Sequence, residues 1–468
     1  MRSSLDKLSS LILRFIPFVL AFLTPLFFLP FTADPFTLNK FYLVTLLASI
    51  SLISWCVRSL IRGKLSLTSS PALLPLILLV IAHVISSVWL SPTKHASLFG
   101  QTAFFIALLI IFLTTTSSQK SRVLVNSVVF GTILSATLLS FFTLLQYFGV
   151  PGRIFSYDLL DNTLLNPTGG ILIALIYTVS VMLSTIGYLI VSKNWLHKSL
   201  LFAATIFMIV ASLINISLIF PQSGQQVIFL LPYRASWSIA VDIFKNWQTA
   251  LLGTGPDTYL SVFTRLRPGY LNVDNALWAL RFPESSSFFL TLITTTGLVG
   301  ALSFITAFLK PFLVSFRHRS SHTDEPTYIF LSLCLLTVLI SFIFSPTSLT
   351  SIVLGIVALI ALTVEFKLLG LKSVKDISLA ISAKSEPETF YQDIKVSEGL
   401  HPYSVIIPWI VRSAPLQRHS PLDCDLTFCG TSLFLLDLRY PFLLSLYRNQ
   451  TGRRNDRHKP RWCLSKRN

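Results

Sequence analysis

This chain contains ten apolar runs, each long enough to cross a lipid bilayer as a helix, and they limit the folds that it can adopt. A helix needs roughly 20 residues to span the hydrocarbon core. The runs lie near residues 12–31, 38–57, 72–90, 98–116, 123–148, 169–191, 199–220, 288–309, 327–345 and 347–366. Only 12% of the residues are charged, whereas soluble domains carry roughly a quarter. We therefore predict an all-α integral membrane protein with about ten transmembrane helices.

The basic residues predict how these helices are oriented. The first run has a basic flank but no small-residue cleavage site, so we expect it to be retained as a span. If the N-terminus is cytoplasmic, sixteen Lys and Arg residues fall in inner segments, against three (Lys40, Lys94 and Arg153) in the short outer loops. Because Lys and Arg accumulate in cytoplasmic loops, we predict an N-in, C-in topology. The same bias accounts for the net charge of +17, which therefore does not indicate nucleic-acid binding.

This topology divides the chain into four parts. Residues 1–220 form an N-terminal bundle of about seven helices, 221–287 a large extracytoplasmic loop, 288–366 about three further helices, and 367–468 a basic tail. The end of the tail lacks periodicity, which indicates a disordered segment or an out-of-frame translation. Its Cys424, Cys429, His458 and Cys463 could be written as a zinc site, but their spacing matches no common pattern. We expect neither a metal nor a cofactor.

The extracytoplasmic loop contains the residues that suggest a site. Apolar residues recur at helical spacing from Tyr233 to Leu251, which predicts an amphipathic helix at the membrane interface. The turn Gly253-Thr254-Gly255-Pro256 follows, and then a basic stretch with Arg265 and Arg267. A glycine turn and guanidinium groups together can bind a phosphate. The alternative interpretation is an ordinary turn on a solvated loop, because the lysine and Ser/Thr of a P-loop are missing.

The order of these elements resembles the O-antigen ligase and O-antigen polymerase superfamily. The resemblance is carried by "YRASWSIAVDIFKNWQTALLGTGPDTYLSVFTRLRP" and "SSFFLTLITTTGLVG", with weaker similarity in "LPFTADPFTLNK" and "SSVWLSPTKHASLFG". It implies a GT-C-like glycosyltransferase of polysaccharide and lipopolysaccharide assembly, located in the bacterial cytoplasmic (inner) membrane. The donor would be a glycan on undecaprenyl pyrophosphate, and the acceptor a lipid or glycan hydroxyl. The resemblance assigns pyrophosphate binding to Arg234, Arg265 and Arg267, with Gly253, Gly255 and Pro256 packed nearby.

One position departs from the family pattern. The family carries a histidine eleven residues before the first glycine of its Thr-Gly motif, and Ser286 occupies that position. A serine is not a base near neutral pH without an activator of its own, so Glu284 is our candidate base, with Asp257 and Asp274 as alternatives. Arg281, just before the chain re-enters the membrane, is a fourth candidate for the pyrophosphate.

Two other interpretations remain open at this level. A polysaccharide flippase or other transporter would also be a basic multi-pass bundle, although transporters tend to show internal repeats and charged residues within their spans. A catalytically inactive relative would explain the missing histidine.

Overall fold

A computed structural model describes residues 2–29, 32, 34–154, 164–220, 229–273, 277, 279–318, 325–383 and 392–396. These residues are mostly helical. The helices are α1 Arg2–Leu23, α2 Thr37–Arg62, α3 Leu73–Ile85, α4 Lys94–Ser97, α5 Ala103–Ser118, α6 Arg122–Tyr147, α7 Val150–Ile154, α8 Ile171–Val191, α9 Trp195–Ile219, α10 Tyr233–Ile243, α11 Trp247–Leu252, α12 Tyr259–Arg265, α13 Phe288–His318, α14 Pro326–Phe344 and α15 Leu349–Leu368. Two π-helical segments, Ser86–Leu90 and Leu98–Thr102, extend α3 and join α4 to α5.

Within the described residues, nine helices are long and apolar enough to cross a membrane. They coincide with nine of the ten predicted runs, so the chain is a multi-pass membrane protein. The run at 12–31 differs from the others. Its helix, α1, ends at Leu23 and contains Asp6, Lys7 and Arg14, which shortens its apolar part. Helix α1 still packs against α2 and α6 and so belongs to the bundle.

Helix α15 lies at the centre of the bundle. Within its most apolar stretch 94% of the residues are buried, against 28% for α2 and for α9. Small residues allow this close packing: a Cβ added at Gly355 would lie only 2.5 Å from the ring of Phe308 on α13. Close approach through small residues is the usual way in which membrane helices associate. The surrounding helices therefore pack around α15, and the ends of α15 mark the two ends of the bundle.

A three-stranded antiparallel sheet, which the all-α prediction lacks, lies at one end of the bundle. Strand β1 (Lys64–Ser69) follows α2, and it pairs with β2 (Lys375–Ala383), which pairs in turn with β3 (Gln392–Val396). The register of the first pair runs from Lys64 opposite Ala380 to Ser69 opposite Lys375. The pairing joins segments more than 300 residues apart, so no local pattern could predict it. Residues 401–468, including the three cysteines and the histidine considered above as a zinc site, lie outside the described part of the chain.

Polar contacts gather the predicted inner segments at the end that carries the sheet, which we call the basic end. Arg62 pairs with both carboxylate oxygens of Asp6 at 2.9 Å, and Lys367 Nζ lies 2.6 Å from Asp376 Oδ1. Arg122 pairs with Glu325, and also with Glu365, which is fully buried near the end of α15.

The predicted outer segments meet at the opposite end, which we call the cavity end. Ser97 Oγ donates to Pro256 O at 2.6 Å, and Phe288 N donates to Ser345 O at 2.7 Å. The predicted inner segments therefore meet at the basic end, and the predicted outer segments meet at the cavity end.

Candidate active site

A cavity of about 830 Å3 opens at the cavity end, between α2, the π-helical segment before α5, the loop before α8, and the α14–α15 loop. One part of its wall is polar and carries Asp34, Thr37, Lys40, Gln101, Thr168, Asp257, Glu284, Thr347, Ser348 and Thr350. Another part is apolar, with Leu38, Phe41, Tyr42, Phe99, Phe104, Ile173 and Leu349. Ligand sites usually combine an apolar wall with a few convergent polar groups, and this cavity has that composition.

Glu284, the candidate base, lies in this polar wall. The chain just after it is fixed to the α14–α15 region, because Ser287 Oγ donates to Phe342 O at 3.3 Å and Phe288 N donates to Ser345 O. Burial, opposed by hydrogen bonds with Thr347 and assisted by a smaller repulsion from Asp257, raises the pKa of Glu284 to about 7. At neutral pH both protonation states are therefore populated, as a general acid or base requires.

Asp257, named above as an alternative base, faces the same cavity. Its backbone has a positive φ of 61°, and its Oδ2 accepts the N–H of Gln101 at 2.8 Å. Gly100 makes this contact possible, because an added Cβ there would collide with the carboxylate of Asp257. Burial raises the pKa of Asp257, and the hydrogen bond from Gln101 opposes that rise. The cavity therefore holds two partly desolvated carboxyl groups.

Lys40 supplies a buried positive charge to the cavity. Its side chain is 1% exposed, and Nζ donates to Pro167 O at 2.9 Å, to Thr168 O at 2.7 Å and to Thr350 Oγ1 at 3.4 Å. Among the described residues no carboxylate lies within ion-pair distance of Nζ. A buried charge is stable only when it is compensated. The atoms bonded to Nζ are neutral oxygens, and the carboxylate of Asp34 adds a favourable charge interaction at longer range. Lys40 is therefore our candidate for an anion-binding residue in the wall of this cavity.

Asp34 lies just before α2, the helix that carries Lys40, and it accepts hydrogen bonds from the chain at the start of that helix. Its Oδ1 accepts the N–H groups of Phe36 and Thr37, both at 3.0 Å. Although burial acts to raise the pKa of Asp34, these N–H groups hold it below its usual value. Asp34 is therefore a charged cap of α2 that fixes the first turn, including Lys40.

The glycine turn does not offer its N–H groups to a ligand. Helix α13 is kinked at Gly297 (φ 69°, ψ −170°), and the carbonyls of Thr294 and Thr295, just before the kink, accept hydrogen bonds from outside the helix. Thr254 N donates to Thr294 O at 3.0 Å, and Gly255 N donates to Thr295 O at 2.9 Å. The amides that a phosphate would need are thus occupied by α13.

Close packing explains why glycines occupy these positions. A Cβ at Gly253 would collide with the backbone of Thr295, and one at Gly297 with the backbone of Leu251. A Cβ at Gly255 would lie 2.6 Å from Ser91 Cβ. Pro256 O, next in the turn, accepts the hydroxyl of Ser97. The turn therefore fixes the loop against α3 and α13, and in doing so it places Asp257 in the cavity.

None of the four candidate arginines lines the 830 Å3 cavity. Arg234 is exposed and lies over Tyr270, with its guanidinium carbon 5.7 Å from the ring centroid. Arg281 is exposed, on the segment that leads to Glu284.

The other two arginines lie around α12. Arg267 lies over Phe263 and donates from Nη2 to Leu277 O at 2.9 Å, so it braces the small core of the loop. Arg265 is exposed and lines a second cavity, of about 330 Å3, together with Thr254 and Thr258. Arg265 thus adjoins this second cavity, on the side of the glycine turn where Thr254 lies.

Ser286, at the position of the family histidine, has a structural role. Its backbone N–H and its hydroxyl both donate to Ser236 Oγ, at 3.0 and 2.9 Å. These bonds join α10 to the chain that leads into α13. The third candidate base, Asp274, lies outside the described residues.

Lys40 and Asp34 were missed as site residues by the sequence analysis. It counted Lys40 only as a charge in an outer loop, although the residue is the fourth of α2. The sequence contains one indication of its role, since Lys40 lies at the start of an otherwise apolar run. Ionisable residues within spans are rare and usually functional.

Comparisons with protein-family models and with curated proteins found no match for this chain. Among the described residues, no group of three or more His, Cys, Asp or Glu side chains is arranged to hold a metal ion.

Proposed function

We propose that this protein is a glycosyltransferase of the O-antigen ligase and polymerase type. It would transfer glycan from an undecaprenyl-pyrophosphate donor to an acceptor hydroxyl at the outer face of the bacterial cytoplasmic membrane. The observation that carries the proposal is the single cavity whose wall includes Glu284, Asp257 and the buried side chain of Lys40. The loop partition described above supports an extracytoplasmic position for this cavity.

The chemistry needs a base and an anion site, and the cavity provides a candidate for each. Glu284 removes the proton of the acceptor hydroxyl as its oxygen attacks the anomeric carbon of the donor. The bond from that carbon to the pyrophosphate oxygen breaks, and the oxygen keeps the electron pair. Lys40 stabilises the charge that develops there, as preorganised cations do for phosphate leaving groups. In this proposal Lys40 binds the pyrophosphate, a role that the resemblance assigned to the loop arginines.

The apolar wall supports a lipid-linked donor. Leu38, Tyr42 and Phe99 line the cavity, yet they are also among the exposed large hydrophobic side chains, with Phe99 73% exposed. They extend the cavity towards the outer surface of α2, which is a candidate membrane span. A polyprenyl chain can therefore remain in the lipid while its pyrophosphate reaches Lys40.

A second candidate function is the transport of a lipid-linked glycan. Two observations favour it: α13 is broken at Gly297, and charged residues lie inside spans, among them the fully buried Glu365. Discontinuous helices and intramembrane charges are common in transporters. The hydrogen bonds from Thr254 and Gly255 to the kink favour a fixed bend over a moving one.

The test is glycan transfer in proteoliposomes that contain a polyprenyl-pyrophosphate-linked oligosaccharide and candidate acceptors. We expect transfer by the wild-type protein and its loss, by at least a hundredfold, in Glu284→Gln and Lys40→Met. Lys245→Gln is the matched control, because Lys245 is an exposed loop lysine whose ion pair is with its neighbour Asp242, away from the residues that line the cavity. Full transfer in Glu284→Gln would overturn the assignment of the base. Movement of a fluorescent lipid-linked glycan across the bilayer without transfer would favour the transporter.

A further inference from the structure

A cleft at the basic end combines positive charge with hydrogen-bond donors that have no acceptor. It lies between the last two turns of α2, strand β1 and the end of α5. Trp55, Arg58, Ser59 and Arg62 follow one stripe of α2, with Lys64 and Ser66 on β1. Its volume is about 40 Å3, room for about three water-sized groups.

The hydrogen bonding of two donor side chains in this cleft is incomplete. Among the described residues, the buried Nε1 of Trp55 has no hydrogen-bond acceptor. Nη1 of Arg58 donates to Ser118 O at 2.8 Å, but Nε of the same residue makes only a long contact, 3.5 Å, with Asp6 Oδ1, and that carboxylate is already engaged by Arg62. Buried donors usually find a partner in the protein or a bound group. Three cations against one carboxylate leave the cleft positive, so the missing partner is expected to be an anion.

The position of the cleft indicates where the anion comes from. Helix α2 presents exposed apolar side chains over most of its length, including Leu46, Ile53 and Leu60. The cleft lies where that apolar surface ends, which is the level of lipid phosphates for a helix that spans the bilayer. Arginine and tryptophan N–H groups suit phosphate oxygens, and the adjacent lysine adds charge.

We propose that this cleft binds a phosphate group, such as that of a membrane phospholipid. The phosphate oxygens accept from Trp55 Nε1 and from the guanidinium of Arg58, while Lys64 contributes charge from the rim. A glycerol backbone and its acyl chains lie outside, along α2. The site is at the opposite end of the bundle from Lys40 and Glu284, so it does not depend on the proposed transfer reaction.

The test measures binding to the delipidated full chain in detergent by native mass spectrometry. The probes are dioctanoyl phosphatidylglycerol, inorganic phosphate and dioctanoylglycerol, which lacks the phosphate. We expect Trp55→Phe to weaken phosphatidylglycerol binding about tenfold, because it removes one charge-assisted hydrogen bond and keeps the ring. Lys64→Gln should weaken it severalfold. Trp195→Phe and Lys193→Gln are the matched controls, since both residues are exposed near the start of α9.

The three probes separate the possible results. Preferential binding of phosphatidylglycerol, reduced in the two cleft variants alone, supports a lipid headgroup site. Equal binding of inorganic phosphate with the same dependence on Trp55 and Lys64 supports a site for free phosphate. The proposal is overturned if dioctanoylglycerol binds as well as phosphatidylglycerol, or if both cleft variants bind like the wild type and the controls.

Discussion

At the scale of single residues, Glu284 determines the predicted pH dependence. Its raised pKa of about 7 means that the fraction able to accept a proton grows as the pH rises through neutrality. We therefore expect the transfer rate of the wild-type protein to increase between pH 6 and 8 and then to level off. The pH profile of transfer in proteoliposomes measures this. Asp242→Asn, which alters a half-buried carboxylate of the same loop that is paired with Lys245, should leave the profile unchanged, and a flat wild-type profile would remove Glu284 as the base.

The same group makes a second prediction, about stability. The folded protein binds the Glu284 proton more tightly than the unfolded chain, so its contribution to stability is present below the unfolded pKa and is lost as the pH rises through about 7. We expect Glu284→Gln to flatten the fall in melting temperature from pH 5 to 8, as measured by thermal unfolding in detergent. The burial of this carboxyl group would be contradicted if the melting temperature of the wild-type protein rose from pH 5 to 8 and that of Glu284→Gln followed the same curve.

At the scale of elements, the contact between the glycine turn and the kink of α13 predicts a strong and non-additive effect. Gly253 and Gly297 adopt backbone angles that are essentially restricted to glycine, so Ala at either should cost about 1–3 kcal/mol in strain, with the collision in addition. We expect lower melting temperatures for Gly253→Ala and Gly297→Ala. The double variant should lose less than the sum, since both changes disrupt one contact. Gly269→Ala is the control, because it has open space and no positive φ; equal losses in all three would refute the contact.

This scale also shows what the sequence could predict. Apolar run length located nine spans, and Glu284 was identified as a candidate base from the chain alone. The kink at Gly297 is stabilised by hydrogen bonds from Thr254 and Gly255, which lie some 40 residues earlier in the chain. Because these contacts join distant segments, no local sequence pattern predicts them. The sequence therefore leaves open whether the glycine turn binds a phosphate or is an ordinary turn, and in the structure the amides of Thr254 and Gly255 are bonded to α13. The sheet was missed for the same reason, because β1 follows α2 while β2 follows α15.

At the scale of the whole molecule, the two sets of loops predict which chemistry is accessible to the cavity. If the basic end is cytoplasmic, as the positive-inside rule indicates, the cavity faces away from nucleotide sugars, and its donor must be linked to a lipid. We expect a cysteine at Thr264, exposed in the loop at the cavity end, to react with a membrane-impermeant maleimide added to intact spheroplasts. A cysteine at Ser199, exposed near the start of α9, should react only after permeabilisation. Both are tested in a background in which the native cysteines are replaced by serine. The reverse labelling pattern would place the cavity in the cytoplasm, where a nucleotide-linked donor would replace the polyprenyl pyrophosphate.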